Sequence, residues 1–164
     1  MNQNPTNMNE EQIGKAILDA AFKVHTTLGP GLLESIYESA LAIELKRRGL
    51  KAERQKPVPV YYEGEILDAA FRIDLLVEGK VLVELKSVEA VIPLFKKITT
   101  NYIRLLPVKL GFLINFNEAH LRHGITRITN GLEGKTFFAE QDQMADNNYN
   151  KPSQPSRSSR DPIQ

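Results

Sequence analysis

The sequence predicts an α/β (α+β mixed) domain, a mixed central sheet with helices on both faces. Three observations predict it. Two segments with helical spacing open the chain, residues 9–28 and about 32–48. Strand-like segments follow, and two of them, VLVELKS and KLGFLINF, are apolar at nearly every position. A third helical segment lies between those two, and a strand, helix, strand order implies a parallel, right-handed crossover.

The first helix carries Ile13, Ala16, Ile17, Ala20, Ala21 and Val24 at the spacing of one helical face. Asn9 and Gln12 have the pattern of a capping box at its start, and Gly29-Pro30-Gly31 breaks it after Leu28. The second helix, Leu32 to Arg48, ends at Gly49, a natural left-handed cap. Pro57 and Pro59 put the strand Lys51 to Tyr62 at a sheet edge, because proline cannot donate to a ladder. Glu63-Gly64 is a turn. Ile66 to Val77 and Val81 to Ser87 are strands joined by Glu78-Gly79-Lys80. A strand as apolar as the second of these is central and covered on both faces. Pro93 to Leu106 has helical spacing through Leu94, Ile98, Tyr102 and Leu105, and Pro107 ends it. Lys109 to Phe116 is another strand, and Gly124 to Thr129 and Thr136 to Phe138 are weaker candidates for one or two more.

The chain has 164 residues, which predicts one domain. Residues 1–8 are polar and aperiodic, and 142–164 is nearly devoid of apolar residues; both are expected to be disordered around a folded unit of residues 9–141. With 41% hydrophobic and 25% charged residues, the composition is that of a soluble globular protein. A net charge of +1 excludes binding to nucleic acid through bulk charge but leaves room for a local basic groove. The absence of cysteine excludes a disulfide framework, a cysteine nucleophile and a thiolate zinc site. No apolar run approaches the roughly 18 residues of a membrane span. The first residues also lack a secretion signal, so the cytoplasm is the expected location.

Charges inside apolar runs are the informative ones, because an uncompensated buried charge is costly. Glu84 and Lys86 share one face of their strand, with Leu85 on the other. If Glu78 to Lys80 form a three-residue loop, Asp74 stands opposite Glu84. The two carboxylates then repel, unless a hard cation such as Mg²⁺ reverses the sign. A two-residue loop would put them on opposite faces. On the second helix, at about 100° per residue from Leu33, Glu34 falls between Leu41 and Leu45, inside the apolar stripe. Glu44 also falls on the stripe but lies near the helix end, where water or Lys and Arg can reach it. Glu38 lies at the stripe's edge; it is a candidate auxiliary carboxylate, but the expectation is that it reaches solvent. Three carboxylates and a lysine suit metal-dependent phosphodiester hydrolysis: the acids hold Mg²⁺, and the lysine stabilises developing negative charge or orients the water. Tyr37 is read either as a hydrogen-bonding site residue or as an aromatic core residue. His25 is read as structural.

Gly31-Leu32-Leu33-Glu34-Ser35-Ile36-Tyr37 reads G-x-x-E-x-x-Y. With Val24-His25, Leu28-Gly29-Pro30, Phe71-Arg72-Ile73-Asp74, Val83-Glu84-Leu85-Lys86-Ser87 and Leu110 to Phe116, it resembles the GxxExxY protein family. That family is similar to the PD-(D/E)XK nuclease-like superfamily, with its restriction-endonuclease-like core. The resemblance implies metal-ligand roles for Asp74, Glu84 and the Leu85 carbonyl, a catalytic role for Lys86, and an acidic helix residue at Glu34. It implies Mg²⁺ or Mn²⁺ as cofactor. RecB-like members carry Q-x-x-x-Y on the next helix; here Tyr102 fits the tyrosine, but Ile98 stands at the glutamine. Phe95 stands where relatives tend to have histidine.

The expected partner is nucleic acid, DNA before RNA, and a homodimer is a further candidate. Lys46, Arg47, Arg48, Lys51, Arg54 and Lys56 cluster in sequence, and Lys96 and Lys97 follow Phe95; these are the candidate phosphate contacts. A second reading keeps the fold as a non-catalytic nucleic-acid-binding or protein-interaction module. Ile98 favours it, and the trio Asp74, Glu84 and Lys86 disfavours it.

Overall fold

The capping box at Asn9 forms as the sequence predicts. The Gln12 amide donates to Asn9 Oδ1 at 2.9 Å, and the Asn9 amide donates to Gln12 Oε1 at 3.0 Å. From there α1 spans Glu10–Leu28 and stops at Gly29, whose φ of 71° is in the left-handed region. The second helix, α2, spans Glu34–Arg47. It starts later than the pattern predicts because Leu33 is an extended N-cap, 72% exposed. The remaining elements are β1 (Ala52–Tyr62), β2 (Glu65–Val77), β3 (Val81–Lys86), α3 (Pro93–Leu105), β4 (Leu110–Asn115) and β5 (Ile125–Thr129). A 3₁₀ turn at Leu121–Gly124, not foreseen, leads into β5.

The sheet has five strands in the order β1-β2-β3-β4-β5. β1 is at the edge, where its prolines cost no ladder bonds. β3 is central and pairs parallel with β4 across the α3 crossover; the other neighbours are antiparallel. The period-two alternation of β4 sorts the helices onto two faces. Gly14 of α1 packs against Leu110 and Phe112, whereas Gly111 faces Ile103 of α3. Tyr37 of α2 stacks on Phe116, with ring centroids 4.5 Å apart. Thus α1 and α2 share one face, and α3 covers the other.

The β1–β2 hairpin turns at Glu63 (φ 49°) and Gly64 (φ 90°), the two left-handed positions of a type I′ turn. Farther along it slips register: Tyr61 pairs with Ile66 but Pro59 with Ala70, so two steps of β1 face four of β2. The β2–β3 ladder is much shorter. It runs from Val77↔Val81 to Leu75↔Val83 and ends there.

The structure is a computed structural model that describes residues 7–106 and 108–132. All of these lie in the unit Met1–Gly134. The expected disorder of residues 1–6 and 142–164, the stop at Pro107 and the candidate strand Thr136–Phe138 lie outside the described residues. Met8, placed at the loose end by its sequence, is tied down: its carbonyl accepts from Lys80 Nζ at 2.8 Å. Among the described residues, no helix is long and apolar enough to cross a membrane.

Candidate active site

The site lies where β2 parts from β3. The three-residue loop forms as expected, closed by the Lys80 amide donating to the Val77 carbonyl at 3.0 Å. The register therefore points Asp74 at Glu84, one step beyond the last ladder pair. No backbone pair forms there. Instead Asp74 Oδ2 accepts the Leu85 amide at 2.7 Å, so a carboxylate replaces the missing ladder acceptor. Asp74 Oδ1 accepts from Gln55 Nε2 at 3.2 Å. Burial pushes the Asp74 pKa up, and the Leu85 amide bond and the Lys86 charge oppose it.

Glu84 is only 8% exposed. Its Oε1 accepts from Lys86 Nζ at 2.8 Å, and Lys86 Nζ also donates to the Leu85 carbonyl at 2.9 Å. Its Oε2 is buried with no hydrogen-bond partner among the described residues. Burial first, and then the Asp74 charge, raise the Glu84 pKa to about 7, outweighing the Lys86 hydrogen bond. For Lys86, burial works toward a lower pKa, but the Glu84 bond and the charges of Glu84, Glu34 and Asp74 prevail and raise it. One cation among three acids explains why both partners of the ion pair shift upward. Lys86 Nζ also lies 5.5 Å from the centroid of the Phe95 ring, in cation–π range.

The two helix acids trade places relative to the helical-wheel expectation. Glu34 is exposed, and Glu38 is 6% exposed. The stripe that packs is Tyr37, Glu38, Leu41 and Leu45. Glu34 lies on its line but in the first turn, past the last packed layer, so it overhangs the site. Its Oε1 accepts the Ser87 amide at 3.2 Å, and Ser87 Oγ donates to the Leu32 carbonyl at 2.5 Å. Glu38 does not reach solvent, because Arg54 Nε and Gln55 Nε2 each donate to one of its oxygens at 2.7 Å. Glu44 lies half-buried and pairs with Arg47 at 2.8 Å, as its position near the helix end predicts.

Tyr37 is the core residue of its two readings. Its hydroxyl donates to the Gly29 carbonyl at 2.6 Å and accepts the Leu32 amide at 3.1 Å, closing the loop that carries Gly31 (φ 90°). It reaches the site only through that loop. Tyr102 is nearer: it packs on Phe71, and its pKa is raised by burial and then by the Glu84 charge. Ile98 packs against the core cluster around Tyr102 and Ile103. His25 is structural, its Nε2 donating to the Glu118 carbonyl at 2.8 Å.

The basic residues do not gather. Lys96 and Lys97 are exposed beside Phe95, at the start of α3. Lys46, Arg47 and Arg48 are at the opposite end of α2 from Glu34, about 18 Å away at 1.5 Å per residue. Arg54 is committed to Glu38. Sequence reasoning missed Gln55, Ser87 and Asn115. Asn115 is fully buried and clamps the loop after Lys86. Its Oδ1 accepts the Val88 amide at 3.0 Å, and its Nδ2 donates to the Val88 carbonyl at 2.8 Å. A polar residue inside the apolar run LGFLINF was the signal available for it.

Among the described residues, no three acid or imidazole side chains converge closely enough to hold a metal. Mg²⁺ does not require three, since it commonly takes one or two carboxylates and keeps several waters. Asp74, Glu84 and the Leu85 carbonyl are hard oxygen donors of that kind, and the orphaned Glu84 Oε2 is the group a cation would satisfy. The residues present therefore fit a hard divalent cation. In comparison with known proteins, a family model described as PD-(D/E)XK nuclease superfamily matches residues 11–128. No curated protein and no solved structure matches the chain.

Proposed function

This chain belongs to the PD-(D/E)XK nuclease superfamily, and on that premise we propose that it is a Mg²⁺-dependent nuclease that hydrolyses phosphodiester bonds of DNA or, second, RNA. Within the superfamily we place it with the GxxExxY proteins. Gly31, Glu34 and Tyr37 support that placement, because each has work to do: a left-handed turn, a tie to Ser87, and closure of the loop between them.

One observation carries the reading. Asp74, Glu84 and Lys86 meet where the sheet opens, with one Glu84 oxygen buried and unpartnered. Asp74, Glu84 and the Leu85 carbonyl would hold the cation. When bound, it polarises the phosphodiester and makes water a better nucleophile at neutral pH. The chain's own groups do the rest. Lys86, kept protonated by the surrounding acids, gives a hydrogen bond to a phosphoryl oxygen as negative charge builds there. Glu84 serves as a carboxylate ligand, and because burial raises its pKa to about 7 in the metal-free protein, it gives up its proton when the cation binds. Glu34 overhangs this pair and adds to the negative field that holds Lys86 charged. Water attack forms the new P–O bond as the water's proton passes to solvent, and the P–O bond to the leaving oxygen breaks as that oxygen takes a proton from solvent.

The test is cleavage of single-stranded, double-stranded and branched DNA and of RNA, with Mg²⁺ or Mn²⁺. We expect Lys86→Ala to lower the rate at least about 100-fold, the usual cost of losing one preorganised donor to developing charge. Cleavage that survives unchanged in Asp74→Ala and Lys86→Ala would sink the proposal. Metal binding without cleavage of any substrate would favour the non-catalytic module.

A further inference from the structure

Among the described residues, three non-glycine residues have left-handed backbone: Gln55 (φ 48°), Glu63 (φ 49°) and Glu78 (φ 51°). Glu63 and Glu78 sit in the two hairpin turns, where such φ values are required. Gln55 sits inside β1, where nothing in a strand requires it. A non-glycine residue held in this region is strained and persists only where its surroundings over-determine it. The position is not arbitrary either. The pairs on each side, Arg54↔Leu75 and Lys56↔Ile73, leave Gln55 facing Asp74.

The side chain shows what the backbone strain supports. Gln55 Nε2 donates to Glu38 Oε2 at 2.7 Å and to Asp74 Oδ1 at 3.2 Å. A primary amide has two N–H donors, and each is used. Both neighbours are acids that accept when ionised, so chemistry itself fixes which end of the amide faces them. The rest of the chain of bonds is equally ordered. The other Glu38 oxygen takes Arg54 Nε, and Arg54 also reaches Ser39 Oγ at 2.9 Å. The other Asp74 oxygen takes the Leu85 amide. A line of hydrogen bonds thus runs from α2 through the edge strand to the site, with Gln55 as its middle link. A lysine here would also orient Asp74, but it would cancel the charge that a cation needs. A neutral amide orients the carboxylate and leaves that charge intact.

We propose that Gln55 is a positioning residue: it fixes the Asp74 carboxylate in the orientation that takes a divalent cation. The inference rests on the nuclease reading of the site. It is tested by titrating Mn²⁺ into the metal-free, full-length protein, with calorimetric or paramagnetic detection, alongside a thermal melt in chelator. Two variants are needed. Gln55→Gly relieves the backbone strain while removing the amide. Gln55→Asn tolerates the left-handed backbone but is one methylene too short to bridge both acids. We expect each to weaken Mn²⁺ binding about tenfold or more, the usual cost of losing a group that orients a metal ligand. Gln55→Gly should do so with a metal-free melting temperature close to that of the wild type. Wild-type affinity in both variants overturns the inference. So does a loss of affinity matched by a large fall in melting temperature in both, which would make Gln55 a structural prop. A wild-type protein that takes up no Mn²⁺ removes the metal-site reading itself, and this inference with it.

Discussion

Glu84 sits in an environment far from its ordinary one. With a pKa near 7 in the folded protein against an ordinary 4.5, it keeps a proton between those values that the unfolded chain has released. The folded state therefore binds more protons in that window, and stability falls as pH rises through it. The shift corresponds to about 3 kcal/mol lost by pH 8, at roughly 1.4 kcal/mol per unit. Asp74, also pushed up by burial, adds to the same sign. Thermal melts of the chelated protein should show a melting temperature that drops from pH 5 to pH 8. Glu84→Gln should flatten that slope and be the more stable protein at pH 8. An unaltered slope in the variant would mean that Glu84 is not the group responsible. Cation binding needs the ionised carboxylate, so added Mg²⁺ should raise the melting temperature more at pH 8 than at pH 6.

At the scale of the element, the connection between α1 and α2 is what delivers Glu34 to the site. Tyr37→Phe keeps the stack on Phe116 but removes the hydroxyl that bridges the Gly29 carbonyl and the Leu32 amide. The expected cost is about 1–3 kcal/mol for buried polar groups left unpaired, read as a melting temperature several degrees lower. No change in stability would show that the loop holds itself. Gly124 at the head of β5 is a harsher case. A Cβ there would lie 2.3 Å from the Asn115 carbonyl oxygen, which is backbone and cannot turn aside. At Gly14 the nearest atoms are side-chain tips at 3.0 Å or more. Denaturant unfolding should therefore show Gly124→Ala as the more damaging, beyond about 2 kcal/mol. These elements also show what can be read without coordinates. The capping box and the edge strand with its prolines follow from local rules, whereas the register that aims Asp74 at Glu84 was open between two loop lengths until the pair Val77↔Val81 decided it. Gln55 does not. Counting back from Tyr62↔Glu65 puts Glu53 opposite Asp74, and only the register slip beyond Pro59 brings Gln55 there. The exchange of Glu34 and Glu38 was hidden for a similar reason. A helical wheel gives angle but not depth, and Glu34 lies at the right angle beyond the end of the packed layers.

For the whole molecule, the charge balance decides how nucleic acid would be held. A net charge of +1 gives no long-range field to draw in a polyanion, so binding must rest on a few local contacts. The acids at the site oppose phosphate until a cation is present, which makes basic groups beside them the ones that count. Lys96 and Lys97 qualify, since they flank Phe95, whose ring neighbours Lys86. Lys46 and Arg47 do not: they lie about 18 Å along α2 from Glu34, and Arg47 spends its charge on Glu44. For duplex DNA, each phosphate contact contributes about 0.9 to the slope of log affinity against log salt. Removing both α3 lysines by Lys96→Ala with Lys97→Ala should therefore lower the slope by about 2 and weaken binding at low salt. The pair Lys46→Ala with Arg47→Ala should leave the slope nearly unchanged. Fluorescence anisotropy of a labelled duplex, with Ca²⁺ in place of Mg²⁺ and salt varied, measures both. If the two double variants lose the same slope, the DNA path runs along α2 as well as over the start of α3, and the nuclease reading would need a wider footprint than the site itself supplies.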